Sequence, residues 1–228
     1  MMAGHSTKRR PRIVVVITSG ADLERALRMR RLPDLFELRL DHLADMAGDV
    51  EKVLSRLRTP LIITARDPHE GGANKLLLRQ RRDLLLRFLD HADYIDVELR
   101  SARALQSLLA NAKTKRVGRI ISFHNFGSTP SARILTAKAR QARVHGAAIF
   151  KVATRTDTPM ELGRLLEFMT SSRLNLSLAV MGIGKLGSIS RVLLARAGSV
   201  LIYASVSETT DVEGQLSLGQ LRALGIEW

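Results

Sequence analysis

Short apolar runs alternate with stretches of helical periodicity along the whole chain. The runs Ile13–Ile17, Leu35–Leu40, Leu61–Ala65, Tyr94–Leu99, Arg119–Phe123, Ala148–Ala153, Leu176–Met181 and Val200–Ala204 are the length of buried strands and rich in β-branched residues. Between them, apolar positions recur at helical spacing over Asp22–Arg31, Val50–Arg58, Leu77–His91, Ala102–Lys113, Ser131–His145, Pro159–Thr170, Ile189–Ala197 and Leu216–Leu224. Pro159 at a first helical position and Ser131 before an apolar run are start signals. Strict alternation predicts parallel strands joined by helical crossovers, and eight repeats predict a closed (β/α)8 TIM barrel, a single α/β domain. Residues 1–12 read as a basic N-terminal arm and 13–228 as the barrel.

Composition narrows the classes. The chain has 228 residues, 45% of them hydrophobic, and no cysteine, so disulfides, thiolate nucleophiles and Cys-ligated metals are excluded. No apolar run approaches the ~18 residues of a membrane helix, and the run after the basic N-terminus is too short for a secretory signal. A cytoplasmic protein without membrane contact is expected. The net charge of +14 points first to nucleic acid. Aromatics are only 4%, leaving little to stack on bases, and no nucleic-acid motif is present. The basic residues, among them Arg79, Arg81 and Arg82 and Lys113, Lys115 and Arg116, are read as solvated helix faces that would also draw in a small anionic substrate.

The polar residues on the strands carry the chemistry. Lys151 interrupts the apolar run Ala147–Thr154. A lysine at a strand end can keep its ammonium in water. A buried lysine is costly, loses its proton more easily and can form an imine with a ketone. Other polar residues favour the second reading. Glu37, Arg39 and Asp41 share one strand face; Arg66, His124, Arg191 and Gln215 stand at or beyond strand ends, and Glu70 lies in the loop after Arg66. The C-terminal ends of barrel strands are where catalytic groups gather. Each residue also has a plainer account: Glu37 and Arg39 as a structural ion pair, His124 as a satisfied core histidine, Glu70 as a loop acid, and Arg191 as an exposed first-turn residue. The remaining histidines make no metal-ligand spacing, so no metal is assigned.

The ordered set Glu37-Leu-Arg39-Leu-Asp41, Thr64-Ala-Arg66 with Glu70-Gly71-Gly72, Ile95-Asp96-Val-Glu98, Ser122-Phe-His124-Asn-Phe126, Phe150-Lys151-Val-Ala153, Gly184 to Arg191 and Gly214-Gln215 resembles type I 3-dehydroquinate dehydratase from the first strand to the last helix. The resemblance implies a cofactor-free and metal-free lyase of the shikimate pathway, forming a homodimer, that removes water from the small anion 3-dehydroquinate. It implies that Lys151 forms a Schiff base, His124 moves protons and Glu70 orients His124. Glu37, Arg39, Arg66, Arg191 and Gln215 take substrate-binding positions.

Two departures are visible. Ile183 stands where the family usually has methionine. Asp211, in Thr210-Asp211-Val212-Glu213-Gly214-Gln215, stands where a serine would contact substrate and is expected to alter affinity. A different imine-forming lyase or aldolase, or a basic nucleic-acid-binding module, are the competing readings. Gly182-Ile-Gly184-Lys-Leu-Gly187 also fits a dinucleotide fingerprint, but too little chain follows it for such a fold. Its glycines are expected to let backbone amides approach an anionic substrate.

Overall fold

The computed structural model describes residues 10–171, 173–207 and 212–226. Eight parallel strands form the wall of a barrel: β1 (Arg12–Ile17), β2 (Leu35–Arg39), β3 (Leu61–Thr64), β4 (Tyr94–Glu98), β5 (Gly118–Asn125), β6 (Ile149–Arg155), β7 (Ser177–Ile183) and β8 (Leu201–Ser205). The ladders run without a break from β7 through β1 to β8. The remaining seam, β7 to β8, has no ladder. It is bridged by the Val200 amide bonded to the Leu178 carbonyl (2.9 Å), and by Ser199 Oγ, which accepts from the Val180 amide (2.9 Å) and donates to the Leu201 carbonyl (3.0 Å).

The helices are α1 (Gly20–Arg28), α2 (Ala47–Val53), α3 (Leu78–Phe88), α4 (Leu99–Ala102), α5 (Gln106–Thr114), α6 (Ala132–Val144), α7 (Pro159–Ser171), α8 (Gly187–Ala197) and α9 (Leu218–Ala223). None among the described residues is long and apolar enough to cross a membrane. All eight expected strands are present within two residues of their expected bounds. Two helices differ. The expected helix Ala102–Lys113 is two pieces, α4 starting directly at the end of β4 and α5 following a turn. The expected Leu216–Leu224 helix begins later, because Leu216 and Ser217 pair with Ala204 and Ser205 as a ninth short strand, β9. Ser217 then caps α9, its hydroxyl taking the Gln220 amide while the Gln220 side chain takes the Ser217 amide.

Strand side chains alternate between two apolar cores. Outward residues such as Val15, Phe36, Ile63, Val97, Ile121, Phe150 and Val180 pack under the helices. Inward residues Val14, Leu35, Ile62, Ile120, Ile149, Ala179 and Leu201 fill the barrel's lower interior. On β2 to β6 the next inward positions change character: Glu37, Thr64, Asp96, Ser122 and Lys151 are polar and buried. The period of two therefore puts these polar groups over an apolar floor, where each needs a partner.

Candidate active site

A cavity of about 720 Å³ opens at the C-terminal ends of the strands, lined among others by Glu37, Arg39, Arg66, Glu70, His124, Lys151, Arg191 and Gln215. Eight of the nine expected site residues thus meet in one place. The ninth, Asp211, lies outside the described residues.

Lys151 points into the barrel and is 4% exposed. Its Nζ lies 3.0 Å from Asp96 Oδ2 and 3.3 Å from Glu37 Oε1, and 4.1 Å above the Tyr203 ring. The buried ammonium is therefore matched by two carboxylates and a π-face. Burial raises the Asp96 carboxyl, but the charges of Arg66 and Lys151 and the Arg66 hydrogen bonds outweigh it and hold the group far below the usual carboxylate range. Arg66 binds Asp96 with both terminal nitrogens (3.0 and 2.9 Å), Glu98 Oε1 (3.1 Å) and Ser122 Oγ (2.7 Å). Arg39 makes a fork to Asp41 (3.0 and 2.8 Å). Both arginines are thus neutralised by carboxylates. The charges nearest Lys151 Nζ are acidic, with Arg39, Arg66 and Arg191 lining the same cavity.

Glu98 extends this network outward. Its Oε2 accepts from Arg81 (2.9 Å), and Arg81 also binds Asp67 Oδ2 (2.8 Å) and Ser101. Arg81, on α3, is 2% exposed. The reading of Arg79, Arg81 and Arg82 as a solvated face fails at Arg81, because the helix turns that one arginine inward onto two carboxylates. Asp67 starts the turn that carries Glu70: its carbonyl accepts from the Glu70 and Gly72 amides (2.8 and 2.9 Å). Gly71, at φ 83°, brings the turn against Phe126, and its carbonyl accepts from Arg39 (3.0 Å). The network beneath Lys151 therefore also fixes the loop that holds Glu70.

Glu70 Oε2 accepts from the His124 amide (2.9 Å) and faces His124 Nδ1 at 3.0 Å. This gives the imidazole its orientation and leaves Nε2 with the lone pair when the ring is neutral. Burial, with Arg66 and Lys151 nearby, pushes the imidazole well below its ordinary value, so it is neutral at pH 7. Burial, together with Glu98, pushes the Glu70 carboxyl up to about 7 against the hydrogen bond from His124.

Arg191 differs from the other buried arginines. It is 3% exposed, and its partners are the Gly214 carbonyl (3.1 Å), the Tyr203 carbonyl (3.4 Å) and Met181 Sδ. Among the described residues it has no carboxylate, and burial draws it down to about 10, still cationic at neutral pH. It is not the exposed first-turn residue of the plainer account. A buried guanidinium held by carbonyls is built to take an anion. Gln215 follows Gly214 at the same rim.

The glycines of the dinucleotide-like motif have a packing role here. A Cβ on Gly214 (φ 78°) would lie 2.5 Å from the Gly184 carbonyl oxygen and 2.6 Å from Gly187 Cα. The Gly184 amide donates to Glu213 O and the Gly187 amide to Gly184 O. Those amides are bonded within the protein, so the expectation that they meet a ligand is not met; the glycines let the loop bearing Gln215 close onto the start of α8.

The model of the family described as type I 3-dehydroquinase matches residues 13–224. This chain belongs to the type I 3-dehydroquinase family. A 3-dehydroquinate dehydratase of Geobacillus sp. (strain WCH70) is 32% identical over 223 residues, covering 89% of this chain and 85% of the relative. The type I 3-dehydroquinate dehydratase of Clostridium difficile, solved with covalently modified comenic acid, superposes with a TM-score of 0.84 at 25% identity, covering 94% of this chain and 91% of that one. The Geobacillus kaustophilus 3-dehydroquinate dehydratase gives 0.84 at 26% identity, covering 94% and 89%. Within the family frame, Tyr203 and Arg81 are the residues that sequence reasoning missed. A tyrosine in an apolar strand and an arginine in a basic helix turn carry no signal of their surroundings.

Proposed function

We propose that this protein is a 3-dehydroquinate dehydratase of the shikimate pathway, a cytoplasmic homodimer that works through a Schiff base on Lys151. The observation that carries this reading is Lys151 Nζ, buried inside the barrel between Asp96 and Glu37 and lining the same cavity as the His124–Glu70 pair. The family membership supports the same activity.

In this mechanism the amine of Lys151 adds to the ring ketone, and the carbonyl oxygen leaves as water. The protonated imine draws electrons from the neighbouring carbon. Neutral His124 takes a proton from that carbon. The electron pair forms the new double bond as the β-hydroxyl departs with a proton from His124, and a second water hydrolyses the imine. One water is lost overall. The lysine nitrogen is cationic in the protonated imine, so Asp96, Glu37 and the Tyr203 ring favour the electron-withdrawing form of the intermediate. Arg191 and Gln215 hold the substrate carboxylate, and Arg39 and Glu37 face its hydroxyls.

Incubation with 3-dehydroquinate and borohydride should leave a reduced adduct on the Lys151 peptide. Ultraviolet absorbance of the conjugated enone product should rise when borohydride is absent. Lys151→Ala should lose both signals, with turnover down at least ~10⁴-fold. Enone formation without an adduct at Lys151 would rule out the mechanism, and an adduct with other ketones but no enone would point to a different lyase.

A further inference from the structure

The positive charge of this chain is not spread over it. Of its 36 Lys and Arg and 22 Asp and Glu, twelve of the basic residues and none of the acidic ones lie between Leu99 and Thr156. That stretch carries +12 of the net +14, and the rest of the chain is nearly balanced. Consecutive βα units are neighbours in a barrel, and β5 pairs with β6. The stretch therefore forms one continuous sector of the outer wall, built on α4, α5 and α6. Lys151 is in the interior and Arg155 pairs with Asp157 and Glu213. Lys115 pairs with Asp90. The other nine cations have no carboxylate partner among the described residues.

The units are brought together at two levels. Near the C-terminal end of the barrel, Arg100 and Lys138 line one cavity of about 460 Å³ with Gln141, and the only carboxylate bordering it, Glu70, is already bonded to His124. At the opposite end, the Arg119 guanidinium lies against Gly146, just after α6. On α6, Arg133 and Arg140 are seven residues apart and so share an exposed face, with Arg143 one turn further along. A solvated face does not require the removal of every acid from 58 consecutive residues.

We propose that the α4–α6 sector is a docking surface for an acidic segment of another protein. Arginine outnumbers lysine there, and Ile134 and Val144 are exposed among the arginines of α6 at 48% and 84%. Arginine mixed with exposed apolar side chains is the composition of a protein interface. Nucleic acid is disfavoured because α4, α5 and α6 expose no aromatic residue for bases to stack on. A bilayer is disfavoured because Ile134 and Val144, ten residues apart, form no apolar stripe to insert. A second copy of this chain would meet the same charge and be repelled.

The test is fluorescence anisotropy of labelled poly-L-glutamate with the full chain at 0.15 M salt, where charges beyond about 8 Å are screened. The chain should bind it. The triple change Arg133→Gln, Arg140→Gln, Arg143→Gln should weaken binding roughly tenfold, and the pair Arg100→Gln, Lys138→Gln should also weaken it severalfold. Arg56→Gln, Arg58→Gln, Arg79→Gln, the same charge removed from another part of the wall, should change it less than about twofold. Equal losses in both triples would reduce the effect to net charge and overturn the proposal. So would an absence of binding, or tighter binding of a DNA duplex or of phosphatidylserine vesicles through the same residues. Folding of each variant is checked by its thermal transition, and the pair keeps the proposal testable if the triple does not fold.

Discussion

Tyr203 carries its ring beneath Lys151 Nζ while its hydroxyl is buried with no protein partner among the described residues. A buried unsatisfied hydroxyl costs about 1–3 kcal/mol. Burial and the nearby Glu37 and Asp96 push the phenol well above its ordinary value, so ionisation offers no relief. Tyr203→Phe keeps the ring and removes the hydroxyl. It should raise stability by about 1 kcal/mol in urea unfolding while leaving kcat within a few-fold of the parent. Glu70 gives a second test, through pH. Its folded value, about 7, lies above the unfolded one, so its contribution to stability is complete below pH 4.5 and is lost as pH rises through 7. Glu70→Gln should therefore gain on the parent by up to about 3 kcal/mol at pH 8 and by little at pH 4. The same change should abolish an acid limb of kcat/KM near pH 7 and lower kcat up to about a hundredfold, because His124 loses the carboxylate that orients it.

At the scale of elements, the strands were legible because burial on a sheet repeats every second residue and that pattern survives in sequence. The polar members Glu37, Asp96 and Lys151 were legible too, since each interrupts an apolar run. Helix faces were read less well. Arg79, Arg81 and Arg82 are chemically alike in sequence, and only the rotation of α3 against β4 decides that Arg81 is the buried one. The first two residues of the last expected helix went to β9 because pairing with β8 outweighed helical periodicity, although Ser217 and Gln220 spell a capping box. Gly214 packs backbone against backbone on Gly184 and Gly187, with no room for a side chain. Gly214→Ala should force that loop off α8, costing about 1–3 kcal/mol, and should raise KM more than it lowers kcat, because it disturbs Arg191 and Gln215 rather than Lys151.

For the whole molecule, closure of the barrel depends on the β7–β8 seam, where a serine replaces a ladder. Ser199→Ala would strand the Val180 amide and should cost about 1–2 kcal/mol in urea unfolding. Met181 and Tyr203 line the cavity from opposite sides of that seam, and Arg191 bonds to both. Deuterium should therefore enter β8 along its β7-facing edge sooner than any other strand of the wall. A ligand gripping Arg191 would act as a clasp on the ring's one loose joint, slowing that entry with no change anywhere else in the wall.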